Sequence, residues 1–307
     1  MTTQPTSQAA QGSRTWLAVL LVIFGVGVAS AWTFLAHTQL KTAVTDEVGQ
    51  HLLAARRSFD GLRAQTQTNL TAHCRVLVED PRLKATLATE GMDAATVADI
   101  LQDLGKLRRG GFLLVLSPDG RVFAQAGASE LEGLDLSASA VIKKARDADD
   151  ATVGSWAIAG KVMDLSIKSV RYGDALVAYL VVGQQVEETM LAAIEEQTGV
   201  SLASVLANKV VVASSKDPVI TDVFAAVVGE VGAAPPHVVT STGYRYLASS
   251  VELPETAQSH RLVLVASLDT VGQRFRSLGW LLFAPPVLVL IAMLLVLSAI
   301  RSPRRIS

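Results

Sequence analysis

Residues Phe112 to Gly127 read FLLVLSPDGRVFAQAG, and this stretch decides the fold class. Phe112 to Leu116 is a compact apolar run, and Val122-Phe123 resumes it after four turn residues. Ser117-Pro118-Asp119-Gly120 is a turn for identifiable reasons. Proline presets φ, aspartate bonds its own backbone, and glycine accepts a positive φ. The same grammar returns at Ser201 to Ser215, SLASVLANKVVVASS, with Asn208-Lys209 placed at the turn. Two hairpins this far apart, each followed by a helical stretch and further strands, predict two successive antiparallel sheets.

Working outward from the first hairpin, three strands follow at 155–160, 162–171 and 175–184, after a short helix capped by Ser137. Tyr172-Gly173-Asp174 forms the last turn. In the middle strand Met163, Leu165 and Ile167 point one way, and Asp164, Ser166 and Lys168 the other. One sheet face is therefore oily and the other polar. A helix over 186–198 stops at Gly199. A helix over 218–231, a strand pair within 237–251 and a strand at 261–268 complete the second unit.

Upstream, residues 37–79 recur in apolar character at steps of three and four: Leu40, Val44, Val48, Leu52, Ala55, Phe59, Leu62, Leu70, Cys74 and Leu77. This is the period of one helix face. Such a helix either packs on its own domain or pairs with the same helix of a second copy, and both are expected at different heights. Asp80-Pro81 opens a second helix, and Asp93 caps a third over 93–107.

Half of the 307 residues are apolar and the mean hydropathy is +0.37, high for a purely soluble chain. Two runs explain part of the excess. Trp16 to Ala36 carries no charged residue and is long enough for a bilayer core of about 30 Å. Arg14, the apolar run to Val28 and Ala29-Ser30-Ala31 also fit a secretory signal with its cleavage site. Continuation of the run through Trp32, Phe34 and Leu35 favours a retained anchor. Leu278 to Ile300 is the second expected span, kinked at Pro285-Pro286. Arg301, Arg304 and Arg305 follow it and Arg14 precedes the first, so the positive-inside rule puts both ends in the cytoplasm. All 28 acidic residues lie between Asp46 and Asp269. That balance lacks the basic face that nucleic-acid binding needs.

Span, long helix, hairpin-helix-strand unit, smaller unit of the same order, span: this sequence resembles the double Cache family of extracytoplasmic sensors, over about residues 37–269. The phrases LVLSPDGRVFAQAG and SVLANKVVVASS carry the likeness. The resemblance implies an α+β chain with two PAS-like antiparallel-sheet modules on a long N-terminal helix, flanked by two transmembrane helices. It divides as follows: cytoplasmic tail 1–15, span 16–36, long juxtamembrane helix and helical connection 37–110, membrane-distal module 111–198, membrane-proximal module 199–270, span 278–300 and cytoplasmic tail 301–307. It implies an inner-membrane protein with its central domain in the periplasm. That domain would bind a small ligand in the distal module and signal to a cytoplasmic output missing from this chain or carried by a partner. A homodimer through the long helix and the spans is expected. The Arg-x-Trp-Tyr cluster that holds a ligand carboxylate in the amino-acid-binding branch does not occur here. The alternative is a non-catalytic envelope scaffold or partner-binding protein with the same fold and no pocket.

A ligand pocket in such a fold wants a few convergent polar groups within apolar walls. Trp156, Asp164, Ser166, Lys168, Arg171, Tyr172 and Tyr179 are the polar or aromatic residues on or beside the first sheet, and they are the candidate ligand-binding set. Lys168 or Arg171 suits an anion. The competing reading puts Asp164 and Lys168 on a solvated face and Trp156 and Tyr179 in the core. No GxSxG or HExxH motif is present. His37, His51, His73, His237 and His260 show no ligand spacing, and the single Cys74 makes no internal disulfide. The reading therefore assigns no catalytic residue, no metal and no cofactor, and it is not that of an enzyme.

Overall fold

The computed structural model describes residues 7–89, 91–105, 111–158, 160–229, 235–253, 260–273 and, between 284 and 295, all but 290 and 293. In the first helix the side chains are described at position 20 and from position 23 onward. The chain divides into two compact units, Met1–Val48 with Leu268–Ser307, and Gly49–Ser267. Both sheets belong to the second unit.

Helix α1 runs Ser7–Val78. Its 72 residues contain no proline, the residue that would break the ladder outright. Within the second unit Leu52, Ala55, Phe59, Leu70, Cys74 and Val78 form its buried stripe. Leu62, which the apolar period includes, is 40% exposed, and Arg63 takes its place in the stripe at 9%. Among the described residues no helix is long and apolar enough to cross a membrane. The expected second span, 278–300, falls mostly outside the described residues.

Helix α2, Pro81–Leu87, begins as its sequence dictates: Asp80 accepts from the N–H groups of Arg82 and Leu83, and proline sits in the first turn. Helix α3 is Ala94–Gly105. The quoted hairpin forms β1, Gly111–Leu116, and β2, Val122–Ala126. Gly120 turns at φ +93°. Helix α4, Ala140–Arg146, has Ser139 rather than Ser137 at its N-cap position, and the Ser139 side chain makes no capping hydrogen bond. The expected earlier start fails because Ser137 N–H is bound to Asp135 Oδ1 and residues 137–139 never enter the helix. Strands β3, Thr152–Ile158, β4, Lys161–Tyr172, and β5, Ala175–Gln185, complete the first sheet. Its order is β2-β1-β5-β4-β3, antiparallel throughout.

Helix α5, Glu188–Thr198, ends at Gly199 in the left-handed conformation. Strands β6, Ser201–Leu206, and β7, Lys209–Ala213, form the second hairpin. Its turn is Ala207-Asn208, both at positive φ, one residue earlier than expected, because Leu206 pairs with Lys209. Helix α6, Pro218–Val228, is N-capped by the Asp217 carboxylate. Strands β8, His237–Ser241, β9, Tyr244–Glu252, and β10, His260–Ser267, follow. The second sheet has the order β7-β6-β10-β9-β8, strand for strand that of the first.

The first sheet is packed on both faces, and in the second the central strands β6 and β10 are buried almost throughout. In the first, Leu70, Cys74 and Val78 of α1 pack with α2 and α3 against Leu113, Val115, Leu180 and Val182. The opposite face packs Phe112, Leu114, Trp156, Met163, Leu165, Ile167 and Tyr179 under Val141, Ile142 and Ala145 of α4. In the second, α6 covers Ala203, Val205, Tyr246, Ala248, Val263 and Val265.

Candidate functional site

Strand β4 alternates as its sequence requires, but on its polar side Asp164 and Ser166 face neither solvent nor an open pocket. Asp164 is 2% exposed and Ser166 fully buried, both on the face that α1 covers. Arg63 meets them there. Its Nε donates to Asp164 Oδ1 at 3.0 Å, and its Nη2 donates to Ser155 Oγ at 2.5 Å. Ser155 Oγ in turn donates to the same Asp164 oxygen at 2.6 Å. Ser155 and Asp164 are direct cross-strand partners of β3 and β4, so one guanidinium closes a ring with both strands. Burying a charge without a partner is expensive, and this pairing is what lets Arg63 occupy an apolar stripe.

The seven residues chosen from sequence divide among three places. Asp164, Ser166 and Lys168 share the α1-facing side. Lys168 Nζ lies 3.9 Å from Asp150, which also bonds Arg75 of α1. The hydrogen bond from Arg75, then that from the Ala151 N–H, brings the exposed Asp150 carboxyl down to about 2. Ser166 lies beside Cys74, and its hydroxyl has no hydrogen-bond partner of normal geometry among the described residues. Trp156 and Tyr179 are on the opposite face, in the core. Trp156 Nε1 donates to Ser139 Oγ at 2.9 Å, and the buried Tyr179 hydroxyl has no hydrogen-bond partner among the described residues. Arg171 and Tyr172 stand exposed at the β4–β5 hairpin, where Arg171 Nη1 donates to Asp174 O.

That opposite face is closely filled. A Cβ built on Gly183 would lie 2.0 Å from Phe112 Cζ, and one on Gly154 would lie 2.4 Å from Val141 Cγ2. Two strand glycines thus make room for neighbouring side chains. A cavity of about 570 Å³ lies instead between α1, α3 and β1–β2, lined by His73, Leu77, Gln102 and Leu113 among others. None of the seven residues lines it. Its wall includes Gly105 and Gly111, which bound residues outside the described set.

Two buried groups beyond the sequence-selected set belong to the second sheet. His260 Nε2 and Ser204 Oγ are 2.8 Å apart, and His260 Nδ1 is buried with no hydrogen-bond partner among the described residues. Burial first, and the positive charge of Arg63 second, push the His260 imidazole down to about 4. Arg261, 2% exposed, donates through Nη2 to Asn208 Oδ1 at 2.6 Å and to Val228 O at 3.2 Å. It ties the β6–β7 turn to the C-terminal end of α6, where a cation is favoured. Burial pushes the Cys74 thiol up to about 12, away from the thiolate form that reactivity needs. Among the described residues no group of three or more His, Cys, Asp or Glu is placed to hold a metal.

The signal for Arg63 was in the sequence. It stands four residues after Phe59 and seven before Leu70, on the stripe, and β4 offers one carboxylate among its apolar neighbours. Arg261 and His260 lie at the start of an apolar strand and carry no comparable signal.

No family model and no curated protein matches the chain. Solved structures with a similar fold are sensory domains of receptors. The ligand-binding domain of the Campylobacter jejuni chemoreceptor Tlp3, solved with 4-methylisoleucine, is 14% identical with a TM-score of 0.48, over 76% of this chain and 94% of that one. The sensor domain of the V. cholerae histidine kinase DctB is 12% identical with a TM-score of 0.48, over 72% and 97%. The extracellular domain of the putative histidine kinase vpHK1S-Z8 is 13% identical with a TM-score of 0.46, over 77% and 96%. The long N-terminal helix and the two five-stranded antiparallel sheets of one strand order are the part of the double Cache architecture that the described residues show.

Proposed function

We propose that this chain is a membrane-anchored extracytoplasmic sensor of the double Cache kind. Residues 16–36 and 278–300 cross the inner membrane, residues 111–198 form the membrane-distal module and 199–270 the membrane-proximal one. A small ligand is read by the distal module, the long helix carries the change, and a cytoplasmic output outside this sequence or on a partner receives it. The protein works as a homodimer and catalyses nothing. The observation that carries this reading is the continuity of α1, one helix from Ser7 to Val78, whose chain includes the uncharged Trp16–Ala36 segment and then the stripe that packs on the first sheet.

A second reading has its own observation. The face of the first sheet opposite α1 is filled by Phe112, Trp156, Met163 and Tyr179, with Phe112 and Val141 lying over Gly183 and Gly154. A scaffold or partner-binding protein that kept the fold without a pocket has this packing. Thermal shift on the full chain in detergent separates the two, with small organic acids, amines and amino acids as probes. A ligand at 100 times its dissociation constant adds about 2.7 kcal/mol to stability. A sensor shows such a shift for at least one class; a scaffold shows none. Asp119→Cys, labelled in whole cells by an impermeant maleimide, tests the topology: labelling from outside supports it, and protection until lysis refutes it.

A further inference from the structure

We propose that Arg63, Ser155 and Asp164 form a register lock that holds α1 at one rotational and axial setting against the first sheet, so that a shift of β3–β4 is passed to the helix through this ring. The proposal rests on reading α1 as the transmitting element. The rest of the interface cannot choose a setting so sharply. Leu70, Cys74 and Val78 pack on Val170, Ala178, Leu180 and Val182, where contact is non-directional apart from a long, weak hydrogen bond from Cys74 Sγ to Leu180 O at 3.6 Å. The ion pair between Arg75 and Asp150 is more than half exposed, and salt screens such pairs.

The ring is different in kind. It is buried, it uses two separate guanidinium nitrogens, and both acceptors sit on paired strands. Turning the helix by one residue, about 100°, would present Leu62 or Ala64 to Asp164, and neither can donate. Slipping it by about one turn would present Phe59, Asp60, Thr66 or Gln67. Phe59 cannot donate, Asp60 is another carboxylate, and the neutral Thr66 and Gln67 lack the guanidinium's charge and fork. Every neighbouring setting therefore leaves the carboxylate unpaired or poorly paired, and buried polar groups in that state specify against the alternative.

The single cysteine supplies the reporter. Cys74 is fully buried in the same interface, eleven residues or about 16 Å along the helix from Arg63. In the full chain in detergent, the rate of Cys74 labelling by a maleimide reads how often α1 leaves its setting. The informative variant is the double Arg63→Met, Asp164→Leu, which replaces the ring by an apolar pair and leaves no unpaired charge. A lock predicts labelling at least tenfold faster than wild type with the thermal midpoint kept or raised. Wild-type labelling in that variant means that the ring only fills space, and overturns the proposal. Should the double variant melt earlier, Asp164→Asn takes its place: it keeps the shape and removes the charge, and unchanged labelling there is equally fatal. No ligand enters the experiment, so a failed ligand screen and a failed lock are distinguishable.

Discussion

Each sheet encloses one buried arginine, and the two are used in opposite ways. Arg63 comes from outside the first sheet, on α1, and meets a carboxylate. Arg261 belongs to the second sheet itself, and its described partners are the uncharged Asn208 side chain and the Val228 carbonyl. The first arrangement joins a module to the helix that runs past it. The second joins a module to itself, closing its own turn and helix end. With one strand order in both sheets, the fold does not explain the contrast; the side chains do. Among the described contacts, the first sheet is the one joined to α1 by a buried ion pair.

Removing each arginine breaks the comparison most directly. Arg63→Met leaves Asp164 as a buried carboxylate without its ion-pair partner, and breaking a buried pair from one side costs about 3–5 kcal/mol. Arg261→Met leaves one buried uncharged acceptor, the Val228 carbonyl, at about 1–3 kcal/mol, because Asn208 is exposed and its side chain can turn to water. Denaturant melts of the two variants should keep that order, with Arg63→Met the more damaging. Equal losses would show that the charge on Asp164 is not what distinguishes the modules.

Acid sharpens the comparison from the second module. Folding lowers the His260 pKa from about 6.5 to about 4, so the folded state binds fewer protons than the unfolded one between those values. The stabilisation by neutral His260 is fully present above about pH 6.5 and is lost as pH falls toward 4. Integrated over that range it amounts to about 3 kcal/mol. Other groups titrate in acid too, so the measurement is a difference. His260→Gln, which retains a hydrogen-bonding side chain for Ser204, should lose less stability than wild type between pH 6.5 and 4. Parallel curves for the two proteins would remove His260 from the account.

How much of this was legible in the sequence follows from what each signal depends on. Turns are local, so SPDG, the Asp80-Pro81 start and the Gly199 stop could be read directly. The alternation in β4 was legible as well, with Asp164, Ser166 and Lys168 on one side. What covers that side was not, because alternation gives a residue its face and says nothing of the element packed against it. The apolar count along α1 chose Leu62 over Arg63 for the same reason: hydrophobicity alone rejects an arginine whose carboxylate is 101 residues away. Gly183 and Gly154 were silent, since a strand glycine discloses its neighbour only once Phe112 and Val141 are in place.

Those glycines give the next smaller effect. The second sheet has no glycine inside any strand, whereas the first folds the Phe112 ring over Gly183. Gly183→Ala drives a methyl into that ring, which is buried and has little room to turn. Overpacking of this kind costs about 1–3 kcal/mol. The companion variant Gly183→Ala with Phe112→Leu should recover part of the loss. Failure to recover would place the strain in the backbone rather than against the ring.

The smallest expected effect bears on the choice between sensor and scaffold. Tyr179 is fully buried, and its hydroxyl has no hydrogen-bond partner among the described residues. A buried hydroxyl without a partner is unfavourable, so Tyr179→Phe should leave stability unchanged or raise it by about 1 kcal/mol. A clear loss of stability in the melt would mean that the hydroxyl is bonded in solution to something on that face. A small molecule held there would favour the sensor, and its release on denaturation of the wild type, absent from the variant, would identify it. Stabilisation by the substitution would instead match a filled face, and would direct the search for a ligand away from Trp156 and Tyr179 toward the cavity beside His73 and Gln102.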